Sequence, residues 1–245
     1  MGRYQDALVY LDESLAIARE IGDRAREAAV LQPLGTALAG QGDLAGAREY
    51  FDEAVALAKL IGNKRELAAA LNNRAQLHRV QGELDAAQSI FQQVLDFTRE
   101  VGDHEYIAIA LLNLAMVEIG RGAGDRACGM LLGVIAIAAK LGSKPASQSV
   151  LEASAGLAAA RGQWERAARF FGAAETHARQ TGLQRDPADE AFLTSLMQKS
   201  RALSPDGQFD AVVEAGGALS LEGALAEAQT WLADCARRPQ PGSAF

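Results

Sequence analysis

Three histidines (His78, His104, His177) and two cysteines (Cys128, Cys235) have the widest chemical repertoire in this 245-residue chain, and their spacing limits what they can do. A zinc or redox site read from sequence needs thiols or imidazoles a few residues apart on one element. None of the five stands at such a spacing, so reduced, packed thiols and a half-buried, satisfied His78 are expected. The stretch Gly120-Arg121-Gly122-Ala123-Gly124 lacks the lysine and the preceding strand of a phosphate loop, and reads as a turn. Carboxylates such as Glu13 and Glu53 recur on solvated faces, and no Ser/His/Asp or Cys/His arrangement can be built from sequence order. The expectation is a chain without catalytic residues, metal or cofactor.

What remains is recognition chemistry. Asn72, Asn73 and Asn113 carry amides that can donate to and accept from an extended peptide backbone, or equally well face water on a solvated helix. The formal net charge of −7 gives no basic field for a phosphate backbone, so direct nucleic-acid binding is not expected. No apolar run approaches the ~20 residues that span a bilayer, and the amphipathic start MGRYQDALVYLDESL is unlike a signal peptide. A soluble protein of the cytoplasm is expected.

The elements that would position these groups follow from a repeat. Glycines fall at Gly2, Gly42, Gly82, Gly122 and Gly162, and midway between them at Gly22, Gly62, Gly102, Gly142 and Gly182. Two interleaved ladders with the same step write a solenoid into the sequence. The segments between glycines carry the three/four spacing of amphipathic helices, as in Leu44, Ala47, Phe51, Ala54, Val55 and Ala58. Hydrophobic residues are 49% of the chain but aromatics only 6%, so the core must be built mainly from Ala, Leu, Val and Ile. Small residues recur at Ala7, Ala47, Ala87, Ala127 and Ala167, each followed four positions later by Leu11, Phe51, Phe91, Leu131 or Phe171. In the alternate helices the small positions are Gly35, Ala75, Ala115 and Ala155, with Leu31, Leu71, Leu111 and Leu151 one turn earlier. A small residue lets two helices approach and the bulky one fills the space a turn away.

This pattern resembles the tetratricopeptide repeat, in a long-repeat form whose units end in Gly-Asp or Gly-Asn (Gly22-Asp23, Gly62-Asn63, Gly102-Asp103). The resemblance implies an all-α fold, a right-handed superhelical solenoid of antiparallel helix hairpins, with extra helices at the C-terminus. Residues 1–182 would form the solenoid: a lone helix at 3–21, then hairpins at 24–61, 64–101, 104–141 and 144–181. In such a fold the first helices line the concave surface. Their non-core residues would form a partner-binding groove: Gln32, Pro33 and Thr36; Asn72, Asn73, Gln76 and Arg79; Leu112, Asn113 and Met116; Glu152 and Gly156. The groove would take a protein, a peptide or a small effector. The lysines of a carboxylate-clamp groove are missing, so binding of a chaperone tail is not expected.

Three features depart from the regular repeat. Arg74 and Glu118 stand where the first full repeat has Leu34 and Leu38, either as an inter-repeat ion pair or as a polar pocket. Pro33 removes a hydrogen bond to the Ala29 carbonyl, so its helix either kinks and offers that carbonyl or begins later. The lone first helix carries Tyr4, Leu8, Leu11, Leu15 and Ile21 without a hairpin partner. That predicts a segment of a longer solenoid, or a homodimer through the N-terminal or C-terminal helices.

After Gly182 the period stops. Residues 183–236 read as a helical cap, with Asp186-Pro187 starting one helix, Ser204-Pro205 a short second and Ser220 capping a last one; 237–245 reads as a disordered tail. The pieces ARFFGAAE and GGALSLEGALAEA resemble the C-terminal repeat region of bacterial signalling ATPases of LuxR or adenylate-cyclase type. The resemblance implies a sensing role in signal transduction or transcriptional regulation. The ATPase and output motifs themselves are not in this sequence.

Overall fold

The computed structural model describes residues 2–237; of residues 2–4 and 6 it describes only the helical backbone. The Tyr4 side chain and residues 238–245 of the expected tail therefore lie outside the described residues. The described residues form helices and no strand: α1 (Gly2–Glu20), α2 (Arg24–Gln41), α3 (Leu44–Ile61), α4 (Lys64–Val80), α5 (Leu84–Val101), α6 (His104–Gly120), α7 (Gly124–Leu141), α8 (Lys144–Ala160), α9 (Trp164–Thr181), α10 (Pro187–Leu203), α11 (Gln208–Gly217) and α12 (Leu221–Arg237). Arg237, assigned to the tail on sequence, closes α12 instead.

Each turn is built by local chemistry. Gly42 ends α2 at φ 89°, a left-handed conformation that a Cβ would disfavour. The next residue, Asp43, begins α3 by accepting a hydrogen bond from the Gly46 amide at 2.9 Å. Asp23, Asn63, Asp103 and Ser143 cap α2, α4, α6 and α8 in the same way. Pro33 lies inside α2, which is continuous from Arg24 to Gln41. Ala29 and Pro33 are both exposed, so solvent can serve the carbonyl that proline leaves without a helical donor.

The helices pack into two units, Met1–Val101 and Gly102–Phe245. In the first, each helix packs on the next and α2 also packs on α4. Its core joins Leu15 of α1 to Val30, Leu31 and Leu34 of α2, Ala54 and Val55 of α3, and Ala70 of α4. Phe51 fills the space over Gly35, where an added Cβ would lie 2.5 Å from its ring. The small position of α2 is thus occupied by the large residue of α3.

In the second unit α6 and α8 are buried around nearly their whole circumference, which removes the amphipathic pattern from both. Beyond α9 the chain folds back: α10 packs on α8, α11 crosses α9, and α12 packs on α7. The α9–α11 crossing is a backbone contact. A Cβ on Gly172 would lie 1.9 Å from the Val213 carbonyl oxygen, and one on Gly216 would lie 2.1 Å from that of Arg169. The two peculiar sequence pieces, FGAAE and GGALS, are therefore the two sides of one close helix crossing. Helix α11 starts at Gln208, after a turn through Gly207, four residues later than the expected Ser204 start. Asp186 and Ser220 cap α10 and α12, accepting from Ala188 N at 2.8 Å and Gly223 N at 3.1 Å.

Candidate protein-binding faces

In the first unit α2 and α4 run side by side and bring two polar residues of the expected groove, Gln32 and Asn73, together with Glu66, which the sequence did not single out. Asn73 Nδ2 donates to Gln32 Oε1 at 3.1 Å, and Gln32 Nε2 donates to Glu66 Oε2 at 2.8 Å. This row of two amides and a carboxylate is half-buried, and Gln76 stands one turn beyond Asn73 on the same stripe. The Thr36 hydroxyl donates back to the Gln32 carbonyl at 3.0 Å. Asn72 and Arg79, expected beside them, are buried. Arg74 ion-pairs with Asp52 of α3 at 3.4 Å.

The second unit disposes of its expected residues differently. Asn113 and Met116 are buried, because α6 is covered by α7 and α8. The Asn113 amide donates to the Ile109 carbonyl of its own helix at 3.2 Å. Glu118, also buried, lies 3.9 Å from Arg126 of α7. Gly156 receives the Phe192 ring of α10, to which a Cβ would approach within 2.9 Å. Glu152 is buried on α8 and meets Arg185, from the segment between α9 and α10, at 3.0 Å. Burial pushes the Glu152 carboxyl above its usual range, against the opposing pull of Arg185. Arg185 also reaches Glu175 at 2.5 Å and Glu190.

Sequence reasoning missed Arg185 and the neighbourhood of the cysteines. A signal existed for the first: Glu152 falls where the preceding repeat has Leu112, and an acid in a buried stripe calls for a cation. For the cysteines there was none. Cys128 on α7 and Cys235 on α12, far apart in sequence, are both buried in the core that these helices share, and Cys128 Sγ donates to the Gly124 carbonyl of its own helix at 3.2 Å. Arg161 Nη2 lies 3.5 Å from Cys128 Sγ and 2.6 Å from Asp125.

His78 is bonded through Nδ1 to Glu83 at 2.5 Å, and His104 Nε2 faces Lys140 Nζ at 3.2 Å. Among the described residues no group of three His, Cys, Asp or Glu side chains could hold a metal, and no helix is long and apolar enough to cross a membrane. A cleft of about 1080 Å³ between α9 and α12 is lined by Trp164, Arg166, Arg169 and Trp231. Within it, Arg169 forms a fork with Glu227 at 2.6 and 2.8 Å, and Gln163 accepts from Trp231 and Arg166.

Hairpins of this length, closed by a glycine and opened by a side-chain cap, define a helical-repeat protein with a tetratricopeptide-like fold. Residues 1–59 and 66–127 match the tetratricopeptide repeat, a module that mediates contacts between proteins. Among solved structures the chain is similar to the crystal structure of BtubC (BKLC) from P. vanneervenii, with a TM-score of 0.60 and 18% identity over 89% of this chain and 93% of that one. At that identity the likeness is one of fold. No curated protein matches the chain.

Proposed function

We propose that this chain binds a protein or peptide partner through the exposed side of α2 and α4, and serves as the regulatory repeat region of a bacterial signal-transduction ATPase or transcriptional regulator in the cytoplasm. The observation that carries the binding role is the hydrogen-bonded row Asn73–Gln32–Glu66, two amides and a carboxylate on a half-buried surface with capacity for further hydrogen bonds. The tetratricopeptide match supports the same role. The signalling context rests on the resemblance carried by FGAAE and GGALSLEGALAEA. Binding is reversible, and flexing of repeats against their neighbours relays it. A small effector could occupy the same amides, and competition by the partner's own peptide separates the two ligands.

The test is quantitative capture of a partner from bacterial lysate by wild type and by the double variant Q32A/N73A. Both side chains are half-buried and polar, so the variant is expected to keep its Tm while capture falls about tenfold. Unchanged capture would place the binding face elsewhere.

A second reading, self-association without a separate ligand, is favoured by α1. Val9, Tyr10 and Ile17 are exposed there, Tyr10 by 72%, and so is Ile21 in the turn that follows. Sedimentation at several concentrations separates the readings, since only the second requires a mass that rises with concentration.

A further inference from the structure

We propose that Glu152, Glu175, Glu190 and Gln148 form a guanidinium-binding site, which Arg185 fills in cis and an arginine side chain of a protein partner fills in trans. The inference rests on the reading of the chain as a protein-binding module and names a second point of contact for it. Three helices build the site: Gln148 and Glu152 from α8, Glu175 from α9 and Glu190 from α10. Glu152 and Gln148 are each only 4% exposed, and Gln148 Nε2 donates to Glu152 Oε1 at 3.1 Å. The Arg185 side chain, 12% exposed, brings Nη2 to Glu152 at 3.0 Å and to Glu175 at 2.5 Å, while Nη1 bonds Glu190. Three carboxylates around one cation leave an excess of negative charge. That excludes an anionic guest, and an apolar guest would strand a charge on Glu152. A lysine offers a point charge, whereas only the planar fork of guanidinium can reach three carboxylates set around it.

The cis fit leaves two buried atoms without partners, Gln148 Oε1 and Arg185 Nε. The site also opens: a cavity of about 330 Å³ runs beside it, lined by Gln148, Glu175, Arg179, Arg185 and Glu190. Arg185 itself comes from residues 183–186, which have no helical structure, so its withdrawal breaks no helix. An arginine arriving through the cavity can thus take over the carboxylates as Arg185 leaves.

The experiment uses the full chain with Arg185→Ala. Millimolar guanidinium is expected to raise the Tm of R185A by several degrees more than the same concentration of methylammonium, and to give wild type no such advantage. An arginine-bearing peptide is expected to bind R185A about tenfold tighter than wild type, with a lysine version binding neither. Equal effects of the two cations on R185A overturn the site. Free arginine amide binding R185A as tightly as the peptide overturns the protein source and assigns the site to a metabolite. If R185A does not fold, R185Q, which keeps the stem and removes the charge, takes its place in each arm. Q32A/N73A reads the α2/α4 face separately, so either claim can fail while the other stands.

Discussion

Cys128 has no exposed surface, and burial pushes its thiol up to about 12, with Arg161 pulling the other way. The neighbouring Cys235 thiol is raised as well, again by burial first. The folded chain therefore holds these protons above the ordinary thiol value of 9.0, where the unfolded chain releases them. The stability they contribute is complete below that value and is lost as pH rises toward about 12. A pH series of urea melts is expected to show a shallower alkaline decline for C128A than for wild type, even though C128A starts lower because of its cavity. Equal slopes would mean the thiol ionises as freely in the folded chain as in the unfolded one. The sequence showed two cysteines with no motif. Their meeting depends on α12 folding back onto α7, and no periodic signal records that return. Arg185 was hidden for the same reason, although the acid at Glu152 marked the need for it.

Helix elements were legible wherever the glycine ladder runs. Gly-Asp and Gly-Asn pairs encode both the left-handed stop and the side-chain cap ahead of α2, α3, α4 and α6, whereas α7 and α9 follow Ala123 and Gln163, which form no such cap. The faces were less legible. A helix covered on one side places Met116 and Asn113 in a groove, whereas α7 and α8 both pack on α6 and bury the two residues. The crossing of α9 and α11 gives the sharpest test at this scale. Gly172→Ala sets a methyl group against the Val213 carbonyl, which cannot yield without moving a helix, and is expected to cost about 3 kcal/mol. Gly156→Ala meets the edge of the Phe192 ring, which can rotate, and is expected to cost about 1 kcal/mol. Denaturant midpoints check the order, and a smaller loss for G172A than for G156A would contradict the backbone contact.

Across the molecule, the two units differ in their fluorophores: Trp164 and Trp231 both lie in the second. Fluorescence therefore reports α6–α12, while far-UV circular dichroism reports every helix. Leu31→Ala, in the core of the first unit, is expected to lower the circular dichroism midpoint more than the fluorescence midpoint. G172A should move the fluorescence midpoint most, and coincident shifts for both variants would show one cooperative unit. The central claim is that the α2/α4 side of the first unit holds a protein partner. Its most direct measurement is photo-cross-linking from position 76, one turn from Asn73, against position 60 on α3, where Leu60 is exposed. A discrete partner adduct from position 76, lost in the Q32A/N73A background and missing from position 60, is the result expected. Equal adducts from both positions, or adducts only between copies of the chain, would contradict the account.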